Sequence, residues 1–264
     1  MNQTLILAIP LAFEWSILAT TVAPLWLAKN PRMWSRPKLA LTLWFFALFS
    51  SIASLAFALV IAFGSTFDIW IALKARDPQA VGWIESLLTS FGAWGLLAAG
   101  GIVLAVVNLK LEPLVNSGKE IDAQLGQVLQ FHKRFQGVEV KVVHLALPVA
   151  FTARGAIVVS SKVIAELSEA QLNAVLWHEL GHLRGWHSWL KAVARFVKVL
   201  TPGLVASKVL LNEVNLLTEF EADSFALKHC SRENLVASLE FFCATASPTT
   251  TVRLRQQRLL ATAN

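Results

Sequence analysis

Three long apolar stretches occupy the first part of the chain. No charged residue interrupts the stretch 39–64, which exceeds the about 20 residues that a helix needs to cross a bilayer. The stretch 84–109 carries one charge, Glu85 near its edge, and the stretch 5–28 carries Glu14. We therefore predict three transmembrane helices, at about 5–28, 39–64 and 84–109, within a transmembrane region of residues 1–110.

Beyond residue 110 the pattern becomes shorter and more polar. Residues 115–135 predict a charged amphipathic helix. Three short runs rich in β-forming residues follow, at 138–147, 149–153 and 156–160. Because Pro148 and Gly155 separate these runs, they predict a small antiparallel sheet. The expected fold class is a mainly α membrane protein with three N-terminal transmembrane helices and, in residues 111–264, an α+β domain.

A helix start follows the last of these runs. Ser168 with Gln171 three residues later has the pattern of a capping box, and neither Gly nor Pro interrupts the chain from there to Gly181. The sequence HELGH at 178–182 therefore lies within a predicted helix.

This HELGH segment has the spacing of a zinc site. A helix places His178 and His182 one turn apart on the same face, where their neutral ring nitrogens can share one metal ion. Glu179 is turned partly away from that face, which makes it the candidate general base for an attacking water. The alternative is that the pattern arose by chance and that the histidines are merely packed or solvated.

A third ligand is needed, because catalytic zinc usually has three protein ligands. The Gly- and Pro-free run 217–226 predicts a second helix, with Glu219 and Asp223 four residues apart on one face. Glu219 could reach the metal while Asp223 accepts the outer N–H of His178. The alternative is that both acids form a solvated face with Lys228.

Two other residues compete for the third position. Glu221 lies about 200° around the helix from the candidate ligand and is expected to face away. His187 arrives one residue before the third histidine of the metzincin pattern, and Ser188 stands where that histidine belongs. We interpret His187 as an interfacial histidine beside Trp186 and Trp189.

The chain resembles the gluzincin membrane metallopeptidases over about residues 149–226, on the sequences VAFTARGAIVVSSKVIAELSEAQLNAVLWHELGH and EFEADSFA. Two groups fit: the HtpX and CAAX-prenyl endopeptidase family, and the antirepressor peptidases of the beta-lactam sensor-transducer type. The resemblance implies a zincin-like domain in which one Zn²⁺ is held by His178, His182 and Glu219, with Glu179 as base and Asp223 in support.

The resemblance also implies a protein or peptide substrate that pairs with an edge strand above the zinc. The candidate substrate-binding residues are Phe151, Thr152, Ala153 and Arg154, which could equally form a plain structural hairpin. The short interval between His182 and Glu219 leaves no room for the transmembrane hairpin of the HtpX type, which favours the antirepressor type. No segment that could form an extracellular sensor domain follows Asn264, so a role in sensing beta-lactams is not expected.

Composition supports a membrane protein. Hydrophobic residues make up 55% and charged residues 15% of the chain, and the mean hydropathy is +0.57. These values are too apolar for an ordinary soluble domain of this length. No aromatic-basic motif indicates nucleic acid, so we expect the lipid bilayer and a polypeptide substrate as partners and no nucleic acid. The oligomeric state stays open.

Charge asymmetry predicts the orientation. The loop between the first two apolar stretches contains four basic residues and no acid: Lys29, Arg32, Arg36 and Lys38. In the next loop, 65–83, two bases are offset by two acids. The positive-inside rule then places the first loop and residues 111–264 in the cytoplasm. No Lys or Arg precedes Lys29, which argues against a signal peptide.

Three further interpretations concern residues 186–211, the oxyanion and the activity. Residues 186–211 are interrupted by charges and by Pro202-Gly203, so they predict basic amphipathic helices rather than a fourth span. His229 and Arg253 are candidates for steadying an oxyanion. The predicted activity is a membrane zinc endopeptidase that cleaves proteins at the cytoplasmic face, with regulatory cleavage of a repressor as its role; the alternatives are quality control of membrane proteins and a non-catalytic metal-binding scaffold or metal sensor.

Overall fold

The computed structural model describes residues 3–76, 129–201, 205–244 and 250–261. The chain divides into two compact units. The first unit contains Met1–Lys29 and Thr42–Val115, and the second contains Asn30–Leu41 and Asn116–Asn264. The predicted span 84–109 and the predicted domain boundary after residue 110 lie outside the described residues.

Long helices form the described part of the first unit. Helix α1 covers Gln3–Lys29, and α3 covers Pro37–Arg76 and continues from the second unit into the first. Small polar side chains join them, with the hydroxyl oxygens of Ser16 and Ser51 lying 2.8 Å apart. The helical prediction for 5–28 and 39–64 is confirmed. Among the described residues, one segment is long and apolar enough to cross a membrane, Pro37–Ile61.

A short segment between these helices belongs to the second unit. Helix α2, Pro31–Ser35, begins where the side chain of Asn30 accepts a hydrogen bond from the backbone N–H of Arg32. In the same segment, the ring of Trp34 meets the ring of Phe220 edge-on, with centroids 6.1 Å apart. The segment Asn30–Leu41 is therefore built onto the second unit although the first unit surrounds it in the sequence.

The rest of the second unit is a small sheet followed by helices. The strands are β1 Gln130–Phe135, β2 Val138–Val143, β3 Ala150–Ala153 and β4 Ala156–Ser160. The helices are α4 Ser161–Glu166, α5 Glu169–Arg184, α6 His187–Leu200, α7 Val205–Ala226, α8 Arg232–Ala244 and α9 Thr250–Ala261.

Strand β1 lies where the sequence predicted the end of a helix over 115–135. That prediction is wrong for residues 130–135, because the chain turns back at Gln136-Gly137, where both residues have positive φ (51° and 82°). Two such residues form the type I′ turn that closes a hairpin, so β1 pairs antiparallel with β2. The remainder of the predicted helix lies outside the described residues.

The sheet is mixed, and the prediction of a purely antiparallel sheet is wrong. Its strand order is β1-β2-β4-β3, and β4 runs parallel to β2 but antiparallel to β3. All five residues of β4 are buried, so this strand occupies an interior position. The turn at Arg154-Gly155 folds β3 back along the outer side of β4, which makes β3 an edge strand of the sheet.

Helix α5 lies between the sheet and α7. The capping box is confirmed: the side chain of Ser168 accepts from the N–H of Gln171, whose side chain accepts from the N–H of Ser168. One face of α5 packs into a hydrophobic cluster with β4. On another face, a Cβ added at Gly181 would lie 3.1 Å from Cα of Ala222. Backbones of α5 and α7 thus approach closely at the HELGH segment.

Helix α7 joins two segments that the sequence analysis treated separately. It runs without a break from Val205 through the acidic run to Ala226. Its buried positions include Leu210, Val214 and Leu217, spaced for one helix face. The opposite side of α7 faces α5, where Ala222 packs on Gly181 and Glu219 reaches the two histidines.

Candidate active site

Helices α5 and α7 bring two histidines and a carboxylate to one point. Nε2 of His178 lies 3.1 Å from Nε2 of His182. Oε2 of Glu219 lies 3.4 Å from Nε2 of His178, and Oε1 of Glu219 lies 3.5 Å from Nε2 of His182. One ligand atom from each residue falls within 4.8 Å of the others. This cluster could hold a metal ion.

Asp223 lies behind the first of these histidines. Its Oδ1 is 2.9 Å from Nδ1 of His178, and the side chain is fully buried. A carboxylate at this position holds the proton on Nδ1, which leaves Nε2 free to bind a metal. Asp223 therefore lies where it can orient His178, and it contacts the ring on the side opposite Glu219.

Arg255 of α9 contacts the carboxylates of both Asp223 and Glu219. Its Nε donates to Oδ2 of Asp223 at 2.9 Å and its Nη2 donates to Oδ1 at 2.7 Å. A further contact of 3.3 Å joins Nη1 to Oε2 of Glu219. Burial alone raises the pKa of Asp223, but Arg255 and the hydrogen bond with His178 outweigh it and hold that pKa well below its usual range.

Arg255 was not among the residues predicted to steady an oxyanion, which were His229 and Arg253. The His229 ring stacks on Trp177 with centroids 3.9 Å apart, and Arg253 is exposed. Arg253 and Arg255 face opposite sides of α9, so only one of them can enter the site. Leu259, one turn after Arg255, is buried. An apolar residue at this spacing marks the inward face of α9.

Glu179 is buried beside the cluster. It is 7% exposed and lines the same cavity as His178 and His182. Burial is the main cause that raises the pKa of Glu179 to about 7, and Glu219 adds to this effect while His178 opposes it. A carboxyl group with such a pKa can both accept and release a proton near neutral pH.

The two histidines differ in their electrostatics. Burial lowers the pKa of His182 to about 4. For His178, burial acts in the same direction, but hydrogen bonds with Asp223 and Glu219 raise its pKa to about 9. Burial also opposes the charged form of Glu219, yet hydrogen bonds from both histidines hold its pKa well below the usual range. The cluster thus keeps Glu219 as a carboxylate.

A cavity of about 580 Å³ opens from this cluster. One wall is the edge strand β3, through Ala150, Phe151 and Thr152. Another wall is apolar and comes from α8, and basic residues of α6 form a third. Of the predicted substrate-binding residues, Phe151 and Thr152 line the cavity, whereas Ala153 ends the strand and Arg154 lies in the turn with a φ of 53°.

Lys191 is a second basic residue that the sequence analysis did not place in the site. Its Nζ lies 2.9 Å from Oε1 of Glu219. The sequence pattern indicates only that it is one of the charges of an amphipathic helix. Its position four residues after His187, on the face of α6 that packs on α7, brings it into the cavity.

His187 is not the interfacial residue that the sequence predicted. It is 2% exposed, and its Nδ1 lies 2.7 Å from Nδ1 of His182. The neighbouring Trp186 and Trp189 are exposed instead. Trp186 adopts a left-handed conformation with φ of 55°, and this turn between α5 and α6 directs His187 inward.

The donor set fits zinc. Two imidazole nitrogens and one carboxylate are a usual set for catalytic zinc, and the cluster borders a cavity on one side, which leaves a position open for reactants. The buried Asp223 behind His178 adds the outer hydrogen bond that zinc-binding histidines commonly make.

A helix carrying HELGH, a second helix carrying the third candidate ligand and a sheet edge beside them define a zincin-type metallopeptidase domain. Comparison with known families agrees, because the model of peptidase family M48 matches residues 119–258. The chain belongs to peptidase family M48, a metallopeptidase family that includes HtpX. A search of curated proteins finds no match.

Proposed function

We propose that this protein is a zinc-dependent endopeptidase with Glu179 as its catalytic base. One observation carries the proposal: His178, His182 and Glu219 converge at the floor of a cavity, one wall of which is the edge strand β3, and Glu179 is buried beside them. A structural metal site would require neither this base nor this cavity. The same observation argues against a non-catalytic metal-binding scaffold or metal sensor.

One zinc ion would be held by His178, His182 and Glu219. Zinc supplies Lewis-acid chemistry that polarises the carbonyl of a scissile peptide bond. Asp223 holds His178 in the tautomer that presents Nε2. Lys191 and Arg255 place positive charge beside Glu219, where it also favours negative charge developing on the substrate.

Glu179 performs the proton transfers. Its carboxylate takes a proton from the attacking water as the water oxygen bonds to the peptide carbon. The protonated Glu179 then gives that proton to the amide nitrogen as the C–N bond breaks. A pKa of about 7 places both transfers near neutral pH.

Strand β3 would hold the substrate backbone. The N–H of Ser160 donates to the carbonyl of Val149, and Ala153 pairs with Ala156 at the turn, so odd-numbered residues of this hairpin bond to β4. The N–H groups of Ala150 and Thr152 then point to the free edge, and both residues line the cavity. An extended peptide can pair with this edge by strand addition.

Thr152→Pro is expected to raise KM and to lower kcat/KM for peptide substrates about fivefold. The exchange removes an N–H that points to the substrate while leaving the bonds between β3 and β4, and one hydrogen bond of this kind contributes about 1 kcal/mol. Thr152→Ala, which keeps the N–H, is the matched control and should resemble wild type. Equal kinetics for the proline variant would show that the substrate does not pair here.

The direct test of the proposed function combines metal analysis with peptide digestion. Purified protein in detergent should contain one zinc per chain and should cleave internal bonds in a peptide library, as read by mass spectrometry of the new termini. A chelator should abolish cleavage, and added zinc should restore it. A protein that binds no zinc, or that cleaves equally well after chelation, would refute the proposal.

We also propose that the enzyme is a multi-pass membrane protein with its active site facing the cytoplasm. Support comes from the apolar segment Pro37–Ile61 and from the basic residues that precede it. The domain limits 1–110 and 111–264 and the spans at 5–28 and 84–109 remain part of this proposal.

Cysteine labelling tests the orientation. In a chain whose Cys230 and Cys243 are replaced by Ser, a cysteine at the exposed Arg76 should react with an impermeant thiol reagent in intact cells. A cysteine at Glu166, whose side chain is 52% exposed, should react only after permeabilisation. The reverse pattern would place the active site outside the cytoplasm.

Two physiological roles are compatible with this site. The short connection between its ligand helices favours regulatory cleavage of a cytoplasmic repressor. Membership of family M48, which includes HtpX, favours quality control of membrane proteins. Substrates trapped by the Glu179→Gln form in cells would distinguish them, because one role predicts a single partner and the other predicts many damaged membrane proteins.

A further inference from the structure

His187 lies directly behind the second ligand histidine. The two Nδ1 atoms of His182 and His187 are 2.7 Å apart, and the rings meet nearly at right angles. On its other side, Nε2 of His187 lies 2.8 Å from Oε2 of Glu221. That second contact is short but lies off the straight hydrogen-bond direction.

Only one arrangement of protons satisfies these contacts when a metal is bound. His182 must give the lone pair of Nε2 to the metal, so its proton stays on Nδ1. That Nδ1–H then donates to Nδ1 of His187, which must carry its own proton on Nε2, facing the carboxylate of Glu221. The opposite arrangement would place a proton on Nε2 of His182 and block metal binding.

Glu221 is suited to anchor this pair. Its side chain is 19% exposed. Its Oε2 is buried and lies 2.8 Å from Nε2 of His187. As the helical spacing predicts, Glu221 faces away from the metal cluster, and it faces His187 instead.

Gly185 leaves the space that the pair needs. A Cβ at residue 185 would overlap the ring of His187 at Nε2 and would lie 3.0 Å from Oε2 of Glu221. Any other residue would therefore displace the ring or the carboxylate. Three independent features favour the contact between His187 and His182. They are the empty space at Gly185, the inward turn at Trp186 and the burial of His187.

We propose that His187 is a positioning residue of the metal site, which accepts the Nδ1–H of His182 and is itself anchored by Glu221. Asp223 contacts His178 directly, whereas Glu221 orients His182 through the imidazole of His187, which lies between them. This inference rests on the proposed function, because it concerns the same metal cluster.

Three variants separate hydrogen bonding from packing. His187→Phe keeps a ring of similar size but removes both contacts. His187→Gln keeps an oxygen that can accept from His182 and an N–H₂ group that can donate to Glu221. His229→Phe is the control, because it makes the same exchange at a histidine that stacks on Trp177 outside the metal cluster.

The readouts are zinc affinity, measured by competition with a chelator, and the visible absorption spectrum of the cobalt-substituted protein. His187→Phe should weaken zinc binding about 10–100-fold and change the cobalt spectrum, as loss of an outer hydrogen bond does. His187→Gln should recover most of the affinity, and His229→Phe should match wild type. Thermal unfolding of the metal-free proteins verifies that each variant is folded.

Two results would overturn the inference: wild-type affinity and spectrum in folded His187→Phe, or no recovery in His187→Gln. If His187→Phe does not fold, Glu221→Gln replaces it; this variant removes the anchoring charge and should weaken zinc binding by a smaller factor, and unchanged affinity would contradict the proposal. A wild-type protein that binds no zinc would instead refute the proposed function itself.

Discussion

Replacing Glu179 with Gln should leave the zinc content and the fold unchanged and lower kcat by about 10²- to 10⁴-fold, the range that a general base contributes. Glutamine has the size of Glu179 but cannot take a proton from water. The residue is 7% exposed and bonds to none of the three candidate ligands, so its exchange leaves the metal cluster intact. The measurements are peptide cleavage by purified protein and zinc per chain.

Glu166→Gln is the matched control, because it makes the same exchange at an exposed glutamate outside the cavity. It should retain full activity. Substantial turnover in the Glu179→Gln protein at full zinc occupancy would show that another group takes the proton. Loss of zinc in that protein would instead make Glu179 part of the metal site.

Asp223→Ala should destabilise the metal-free protein by about 3–5 kcal/mol, because it leaves a buried positive charge without its main partner. Arg255 makes two hydrogen bonds to Asp223, whose side chain is fully buried. The same exchange should weaken zinc binding about 10–100-fold, because His178 loses the carboxylate on Nδ1. Chemical unfolding and chelator competition measure the two effects.

A double variant separates the two roles of Asp223. Asp223→Ala combined with Arg255→Met removes the unpaired charge, so stability should recover in part while zinc binding stays weak. A loss below about 1 kcal/mol in the single variant would mean that water solvates Arg255. A zinc loss as large as that of His178→Ala would make Asp223 a direct ligand.

Local sequence patterns predicted the elements that carry the ligands. The capping residues Ser168 and Gln171 fixed the start of α5, and helical spacing alone placed His178 beside His182. The same spacing put Glu219 and Asp223 on one face of α7. These features depend on neighbours a few residues apart, which a sequence displays directly.

Features that depend on residues distant in the chain could not be predicted from local sequence patterns. The parallel pairing of β2 with β4 depends on where β3 is placed, and strand periodicity is the same in either direction. Arg255 enters the site because α9 turns its Leu259 face inward, which only packing decides. His187 was assigned to the surface because its neighbours are tryptophans, and the single left-handed residue that turns it inward has no sequence signature.

The basic segment Asn30–Leu41 belongs to the second unit, although in the sequence it stands between two stretches of the first unit. Trp34 covers one edge of Phe220, the residue directly after the candidate ligand Glu219, and Lys38 contributes charge at Glu221. A chimera that exchanged the N-terminal helices for a foreign anchor would have to keep this segment. The helix that carries Glu219 is therefore packed in part by a residue that lies well before the region 119–258 matched by the family model.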